Sequence, residues 1–224
     1  MSPSRRYEDV AVGADEAVPE AGWVAPELRE ELPGLALRYL TIDAGPTRTP
    51  PHVRRRLREL SDRFGGAQAI NLRHQAIPWA YRVFYRHIGL DPDEQPTPVE
   101  QLALDRMLHG GYASHNLLED ALSVAIIESG VALRAFDAEQ VNLPLGIRPS
   151  THGERLAQRQ LVPGSLVIAD VRRPLGLLFG DPDSAIAVPN RHTRRAVIVA
   201  VQVRGVPDIA VEEAIWLAAS VIRS

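Results

Sequence analysis

The chain has 224 residues, of which 45% are hydrophobic and 24% charged, so it can bury a substantial core and is not predicted to be disordered. It contains no cysteine, which excludes disulfides, thiolate metal sites and a cysteine nucleophile, and which is typical of a reducing, cytoplasmic environment. The net charge of −3 argues against a general nucleic-acid binder, because such domains are usually basic; contact with RNA would need a local patch.

The first half of the chain is predicted to be mainly helical. The polar residues 1–30 predict a loosely ordered lead-in, and residues 35–43 predict a strand. The clearest helix start is Thr97, because Pro98 fits a first helical turn and Glu100 completes a capping box. Helices are predicted from residue 51 to the double glycine at 65–66, from 77 to 89, from 98 to 109 and from 116 to 129.

The second half is predicted to be rich in strands. Strand-like segments broken by Gly and Pro fall at residues 131–136, 146–149, 166–171, 185–188 and 196–203. Asp208 is predicted to cap a final helix. Because no flexible linker divides the halves, we expect one α+β domain over residues 31–224, with amino-terminal helices on a mostly antiparallel sheet and a carboxyl-terminal helix. No apolar run reaches the ~20 residues of a membrane span, so no membrane association is expected.

Motifs that bind nucleotides or catalytic metals are missing from the sequence. There is no phosphate-binding glycine loop, dinucleotide turn, zinc helix or nucleophile-elbow serine, so we expect no metal and no cofactor. His109 and His115 flank a double glycine and could converge on a metal, but histidines in a solvated turn are the commoner case.

Several charged groups leave two interpretations open. Arginines at 54–56 and 58 are typical of a solvated helix face or of a nucleic-acid contact. Arginines at 172–173, 191 and 194–195 follow strand ends, where they either flank a pocket mouth or belong to ordinary surface loops. Three acidic residues next to strands either bond loop amides, which is favoured, or serve a site: Asp137, Glu154 and Asp170.

Residues 116–203 resemble the editing module of the phenylalanyl-tRNA synthetase beta chain, the B3/B4 domain. The likeness rests on several segments in the same order: the helix start at 118–123, the strand 130–137 (GVALRAFD, compared with Gly-x-Pro-x-His-Ala-Phe-Asp), 146–148 with 153–156, 166–170, 176–180 with 184, and 193 with 197–199. The helices before it, with the segments 79–82 and 89–92, resemble the amino-terminal extension of stand-alone relatives.

The resemblance implies a fold, a partner and an activity. The family's domain hydrolyses the ester between a wrong amino acid and tRNA, so the expected partner is aminoacyl-tRNA or an amino-acid-like small molecule, with no DNA expected and the oligomeric state open. The ligand-binding residues implied by the resemblance are Arg134, Ser123, Asp120, Gly176, Gly180, Thr193 and His192.

Three positions depart from the family pattern: the family's helix asparagine is Ser123 here, and the other two concern the editing chemistry. The family's strand histidine is Arg134 here, and its side-chain-recognising glutamate aligns with Val199. Arginine stays protonated and cannot act as a base at neutral pH, but it can bind a carboxylate or phosphate. Three functions therefore stay open: a free-standing deacylase of mischarged tRNA, a binding module without hydrolysis, and a small-molecule enzyme in which His192 and Thr193 supply acid–base chemistry.

Overall fold

The computed structural model describes residues 18–64, 68, 71–179 and 185–224. The helices are α1 (Pro26–Glu31), α2 (Pro51–Arg63), α3 (Ala76–His87), α4 (Pro98–His109), α5 (Leu117–Ser129) and α6 (Asp208–Arg223), with a 3-10 turn at Ala138–Gln140. The strands are β1 (Glu20–Ala21), β2 (Trp23–Val24), β3 (Ala36–Ile42), β4 (Ala132–Asp137), β5 (Gly146–Pro149), β6 (Arg155–Leu156), β7 (Arg159–Gln160), β8 (Leu166–Ala169), β9 (Pro174–Leu177) and β10 (Ala196–Gln202).

Two four-stranded sheets form the centre of the fold. The first has the order β1-β3-β10-β4 and is antiparallel throughout, whereas the second has the order β2-β5-β8-β9 with one parallel pair, β2–β5. The chain passes from the first sheet to the second at Gly22, where an added Cβ would lie 2.7 Å from the carbonyl oxygen of Leu145. A side chain at position 22 would therefore force the two sheets apart.

The first sheet is covered on both faces. Residues 199 and 200 of β10 point to opposite faces, and they pair with Arg134 and Arg38 respectively. Arg38 contacts Glu212 of α6, whereas the Arg134 guanidinium donates to the carbonyl of Leu177 in β9. Helix α6 therefore covers one face of the first sheet, and the second sheet covers the other.

The α+β class, the predominance of antiparallel pairing and the carboxyl-terminal helix are confirmed. Four predicted helices and the first strand are present within one or two residues of their expected ends. Gly110 and Gly130 end α4 and α5 in the left-handed conformation, as expected of glycine at that position. The predicted stop at residues 65–66 lies outside the described residues.

Other predictions need correction. Residues 20–31 form β1, β2 and α1 rather than a loose lead-in, because Trp23 and Val24 pair with β5; residues 1–17 lie outside the described part. Residues 185–188 form no strand, although Ala187 accepts a hydrogen bond from Asp137. Pro207 rather than Asp208 precedes α6, and the Asp208 carboxylate instead accepts from the Gln202 side chain. None of the described helices has the length and apolar character needed to cross a membrane.

Candidate functional site

A cavity of about 790 Å³ opens at the free edge of β4. Helices α4 and α5 form one side, and the segments around residues 111–116, 179 and 185–189 form the other. This volume lies within the range of small-molecule sites. The apolar part of the wall consists mainly of Leu122, Ile126, Leu133, Phe136 and Phe179.

The edge of β4 offers peptide groups to this cavity. The amide of Ala138 donates to the carbonyl of Arg195 at 3.0 Å, which fixes the alternation of the ladder between β4 and β10. Residues 132, 134 and 136 therefore direct their peptide groups toward β10, and Leu133 and Ala135 direct theirs outward. Both residues line the cavity, and the described residues supply no partner for these outward groups. An extended or amino-acid-like ligand can pair with such an edge.

Arg134 lines the same cavity and is only partly exposed. Its Nη1 donates to the carbonyl of Leu177 at 2.9 Å, and a Cβ added to Gly176 would lie 2.9 Å from that nitrogen. Among the described residues no carboxylate forms an ion pair with Arg134, and burial lowers the pKa of its guanidinium from the ordinary value. Arginine nevertheless stays protonated at neutral pH, so donors remain free for a ligand.

The departures from the family pattern at positions 134 and 199 are neighbours in space. Val199 of β10 lies directly opposite Arg134 of β4, so their side chains share a face of the sheet. Val199 is fully buried. The position at which the family places a carboxylate is therefore apolar here, and it supplies no counter-ion for the arginine.

An aromatic group closes the inner part of the cavity. Tyr85 and Phe179 both line it, and their ring centroids are 4.9 Å apart. Burial raises the pKa of the Tyr85 hydroxyl, while the nearby Arg134 acts in the opposite direction. A neutral phenol beside a guanidinium suits a ligand with acceptor oxygens, and the rings suit an apolar side chain.

Ser123 and His109 are among the other polar side chains that line the cavity. The hydroxyl of Ser123 has no partner among the described residues, so it is free to bond a ligand. His109 places Nδ1 2.8 Å from the carbonyl of Asp105. A carbonyl only accepts, so Nδ1 carries a proton and the neutral ring keeps an unprotonated Nε2. Because the partner is a backbone carbonyl, which any residue at position 105 would offer, the sequence carries no specific signal for this hydrogen bond.

Asp120 and Thr193, predicted as ligand-binding residues, have internal roles and do not line the cavity. The buried Asp120 carboxylate accepts from the hydroxyls of Thr49 and Ser114, each at 2.6 Å, and from the amide of His115 at 2.8 Å. The Thr193 hydroxyl donates to Asp137 at 2.7 Å and accepts from the amide of Asn190 at 3.0 Å.

The remaining predicted residues are dispersed. His192 is exposed and accepts from the Arg191 side chain, outside the cavity wall. Gly176 does not line the cavity itself but lies against Arg134 and Ala185, which do, and Gly180 lies outside the described residues. The described part of the chain holds no group of three metal-ligating side chains, so His109 and His115 do not belong to such a group.

The acidic residues next to strands bond loop amides or a neighbouring cation. Asp137 accepts from the amide of Glu139, and Asp170 accepts from the amides of Arg172 and Arg173. Glu154 forms a two-pronged ion pair with Arg148, which lowers the pKa of Glu154. The favoured prediction for these three carboxylates is confirmed.

The fold and the cavity define an α+β domain with a small-molecule-sized site at an open strand edge. No family model matches the chain. Its residues are 33% identical over 111 positions to the phenylalanine–tRNA ligase beta subunit of Xanthomonas oryzae, a match that covers 46% of this chain and 14% of that protein. The same subunit from Legionella pneumophila is 28% identical over 134 residues (55% and 16%), and that from Cutibacterium acnes 36% over 87 residues (37% and 10%).

The similarity is therefore to a segment of a tRNA synthetase subunit. The match with the first of these relatives covers about half of this chain, and it spans only 14% of that protein. The predicted resemblance is confirmed in this coarser form: the chain contains a domain similar to part of the synthetase beta subunit.

Proposed function

We propose that this chain is a free-standing editing-type domain that accepts the aminoacyl end of a tRNA in the β4 cavity and hydrolyses its ester. The similarity to a phenylalanine–tRNA ligase subunit supports a ligand that combines an amino acid with tRNA. The resemblance of residues 116–203 to the B3/B4 module supports hydrolysis as the reaction.

The observation that carries the proposal is that the outer edge of β4 offers both hydrogen-bond donors and acceptors that have no partner among the described residues. The outward carbonyls of Leu133 and Ala135 can accept from an α-ammonium group, and the outward amides can donate to ester oxygens. The Arg134 guanidinium, lacking a carboxylate partner among the described residues, can donate to a carbonyl, a carboxylate or a terminal phosphate. The aromatic wall accommodates the amino-acid side chain.

The chemistry needs an activated water and a stabilised oxyanion. In this mechanism water attacks the ester carbonyl carbon while Nε2 of His109 takes one of its protons. The carbonyl oxygen becomes negative, and Arg134 stabilises it electrostatically. The carbon–oxygen bond to the ribose then breaks, and the ribose oxygen receives the proton from His109. The products are a free amino acid and a tRNA with an intact terminal hydroxyl.

A binding module without hydrolysis is the second candidate. The residue that replaces the family's strand histidine is an arginine, which binds anions but takes no proton at neutral pH. In that case Arg134 would hold the carboxylate or phosphate of a ligand that leaves unchanged.

The proposal is tested by measuring the release of amino acid from a panel of aminoacyl-tRNAs. The panel includes the tRNA specific for phenylalanine charged with tyrosine, and tRNAs charged with acidic amino acids. We expect release above uncatalysed hydrolysis, lowered about 100-fold or more in His109→Asn, because asparagine keeps a donor for Asp105 but lacks Nε2. His87→Asn is the matched control, since His87 is an exposed histidine in the last turn of another helix.

Two outcomes would decide against hydrolysis. No release from any member of the panel would show that the ester is not the substrate. If aminoacyl-tRNA or an amino-acid analogue raised the melting temperature of the wild type but not of Arg134→Met, and no release occurred, the binding module would be the correct function.

A further inference from the structure

Two arginine-bearing loops meet at one place on the surface. The turn between β8 and β9 carries Arg172 and Arg173, and the loop before β10 carries Arg191, Arg194 and Arg195. We call these five residues the arginine cluster. The loops are joined through the 3-10 turn. The Arg173 side chain donates to the backbone carbonyl of Gln140 at 3.1 Å, and the side-chain amide of Gln140 donates to the Asp137 carboxylate at 2.9 Å. Thr193 donates to the same carboxylate at 2.7 Å.

The backbone of both loops is held by buried carboxylates. Asp170 accepts from the amides of Arg172 and Arg173 at 2.7 and 2.8 Å and from Asn142. Asp137 plays the same part for the second loop through Thr193. All five arginine residues are exposed. The fold therefore holds the loops from the inside and leaves the five side chains exposed, although Arg191 and Arg194 also donate to neighbouring groups of their own loop.

Four of the five arginines have no counter-ion among the residues that the structure describes. Arg195 pairs with Asp43 at 3.1 Å, and the described residues supply no ion pair for the other four arginines. Glu139 is an exposed carboxylate within the 3-10 turn, and the buried Asp137 and Asp170 accept hydrogen bonds from several donors. The arginines of α2 differ, since Arg55 and Arg56 pair with Glu59 and Glu128.

The cluster adjoins the rim of the β4 cavity. Val188 and Pro189 line the cavity, and Arg191 follows two residues later. On the other side Pro46 lines the cavity, and a Cβ added to the preceding Gly45 would lie 2.1 Å from the carbonyl oxygen of Thr193. The segments that bear the cluster and the cavity wall are therefore continuous.

We propose that the arginine cluster binds the phosphates of an RNA strand whose end enters the cavity. Guanidinium groups match phosphate oxygens in pairs, and several exposed arginines without a carboxylate partner in the described part of the chain suit successive phosphates. On a chain with a net charge of −3, such a cluster is the local patch that contact with RNA requires. The choice of RNA rests on the proposed function, because an aminoacyl end in the cavity places its own nucleotides at the rim.

The salt dependence of binding to uncharged tRNA tests the cluster. In the triple variant Arg172→Gln, Arg191→Gln, Arg194→Gln we expect weaker binding, with the slope of log affinity against log salt lowered by about two, since each lost phosphate contact lowers it by about 0.7. The control is Arg55→Gln, Arg58→Gln, Arg63→Gln, which removes the same charge from exposed positions of α2 and should leave the slope unchanged. Melting temperatures verify that both triples fold, and Arg191→Gln alone should lower the slope by about 0.7.

Equal slopes for the wild type and both triple variants would overturn the cluster as an RNA site. If the wild type deacylates tRNA and the triple variant of the arginine cluster does so with an unchanged KM, the cluster does not bind the RNA and the proposed function stands. If the cluster triple loses tRNA binding but the wild type hydrolyses no ester, the cluster stands and the proposed function fails. Equal weakening in the α2 triple would show a general charge effect and would also overturn the proposal.

Discussion

The Asp120 junction and the Arg134 wall of the cavity show two opposite ways of burying a charge. At the junction, a fully buried carboxylate receives three hydrogen bonds from Thr49, Ser114 and His115. At the cavity wall, a partly buried guanidinium reaches one carbonyl, that of Leu177. A charge whose partners all come from the chain stabilises the fold, whereas a charge with spare donors in a cavity is available to a ligand.

Local structure explains part of the difference. Asp120 lies in the first turn of α5, where a negative charge is favoured by the helix dipole and where loop donors converge. Arg134 lies within a strand, opposite the apolar Val199 and against the backbone of β9. Burial lowers the pKa of Arg134, so the protein environment opposes its charge and does not neutralise it.

Asp120→Ala should give the largest loss of stability. The substitution leaves three donors without their acceptor, at a cost of about 1 to 1.5 kcal/mol each if they find partial substitutes, so we expect a loss of about 3 to 5 kcal/mol in the free energy of unfolding. Chemical denaturation measures it. Glu119→Ala, the neighbouring exposed residue, should cost less than about 1 kcal/mol. Equal effects of the two variants would remove the contrast between junction and surface.

Thr193→Val should have a smaller effect that depends on pH. Burial alone would raise the pKa of Asp137, but hydrogen bonds led by that of Thr193 outweigh it and lower the pKa below the ordinary 3.8. A carboxylate with a lowered pKa stabilises the fold above its ordinary pKa, and this contribution disappears as the pH falls through the lowered value.

We therefore expect Thr193→Val to cost about 1 to 2 kcal/mol at neutral pH, and the difference from the wild type to shrink as the pH falls below about 4. Urea denaturation between pH 7 and pH 3 measures this difference. A gap that is constant with pH would show that Thr193 acts through packing and not through the charge of Asp137.

Much of the fold follows from local sequence signals. The capping residues Thr97 and Asn116 and the terminal glycines Gly110 and Gly130 set the ends of α4 and α5, because these residue types satisfy free backbone groups locally. By contrast β1, β2 and β9 have only two to four residues each, too few for a periodic pattern to mark them, and β2 pairs with the distant strand β5.

The candidate site was only partly predictable for a related reason. The resemblance identified Arg134 and Ser123, which line the cavity, but it could not show that Asp120 and Thr193 are occupied by internal partners 71 and 56 residues away along the chain. The outward peptide groups of Leu133 and Ala135 carry no sequence signal, since they depend on the register with β10 and on the position of β4 at the edge.

Arg134→Met should have the smallest effect on stability. It tests the second half of the comparison, the guanidinium at the cavity wall. Methionine keeps a similar length without a charge, and replacing a poorly compensated buried charge by an apolar side chain is often neutral, so we expect a change within about 1 kcal/mol in the free energy of unfolding. The same variant should lose stabilisation by aminoacyl ligands, and Arg134→Lys should retain part of it because the charge remains. A loss of stability as large as that of Asp120→Ala would show that Arg134 is a structural residue, and the cavity would then lack the group on which ligand binding depends.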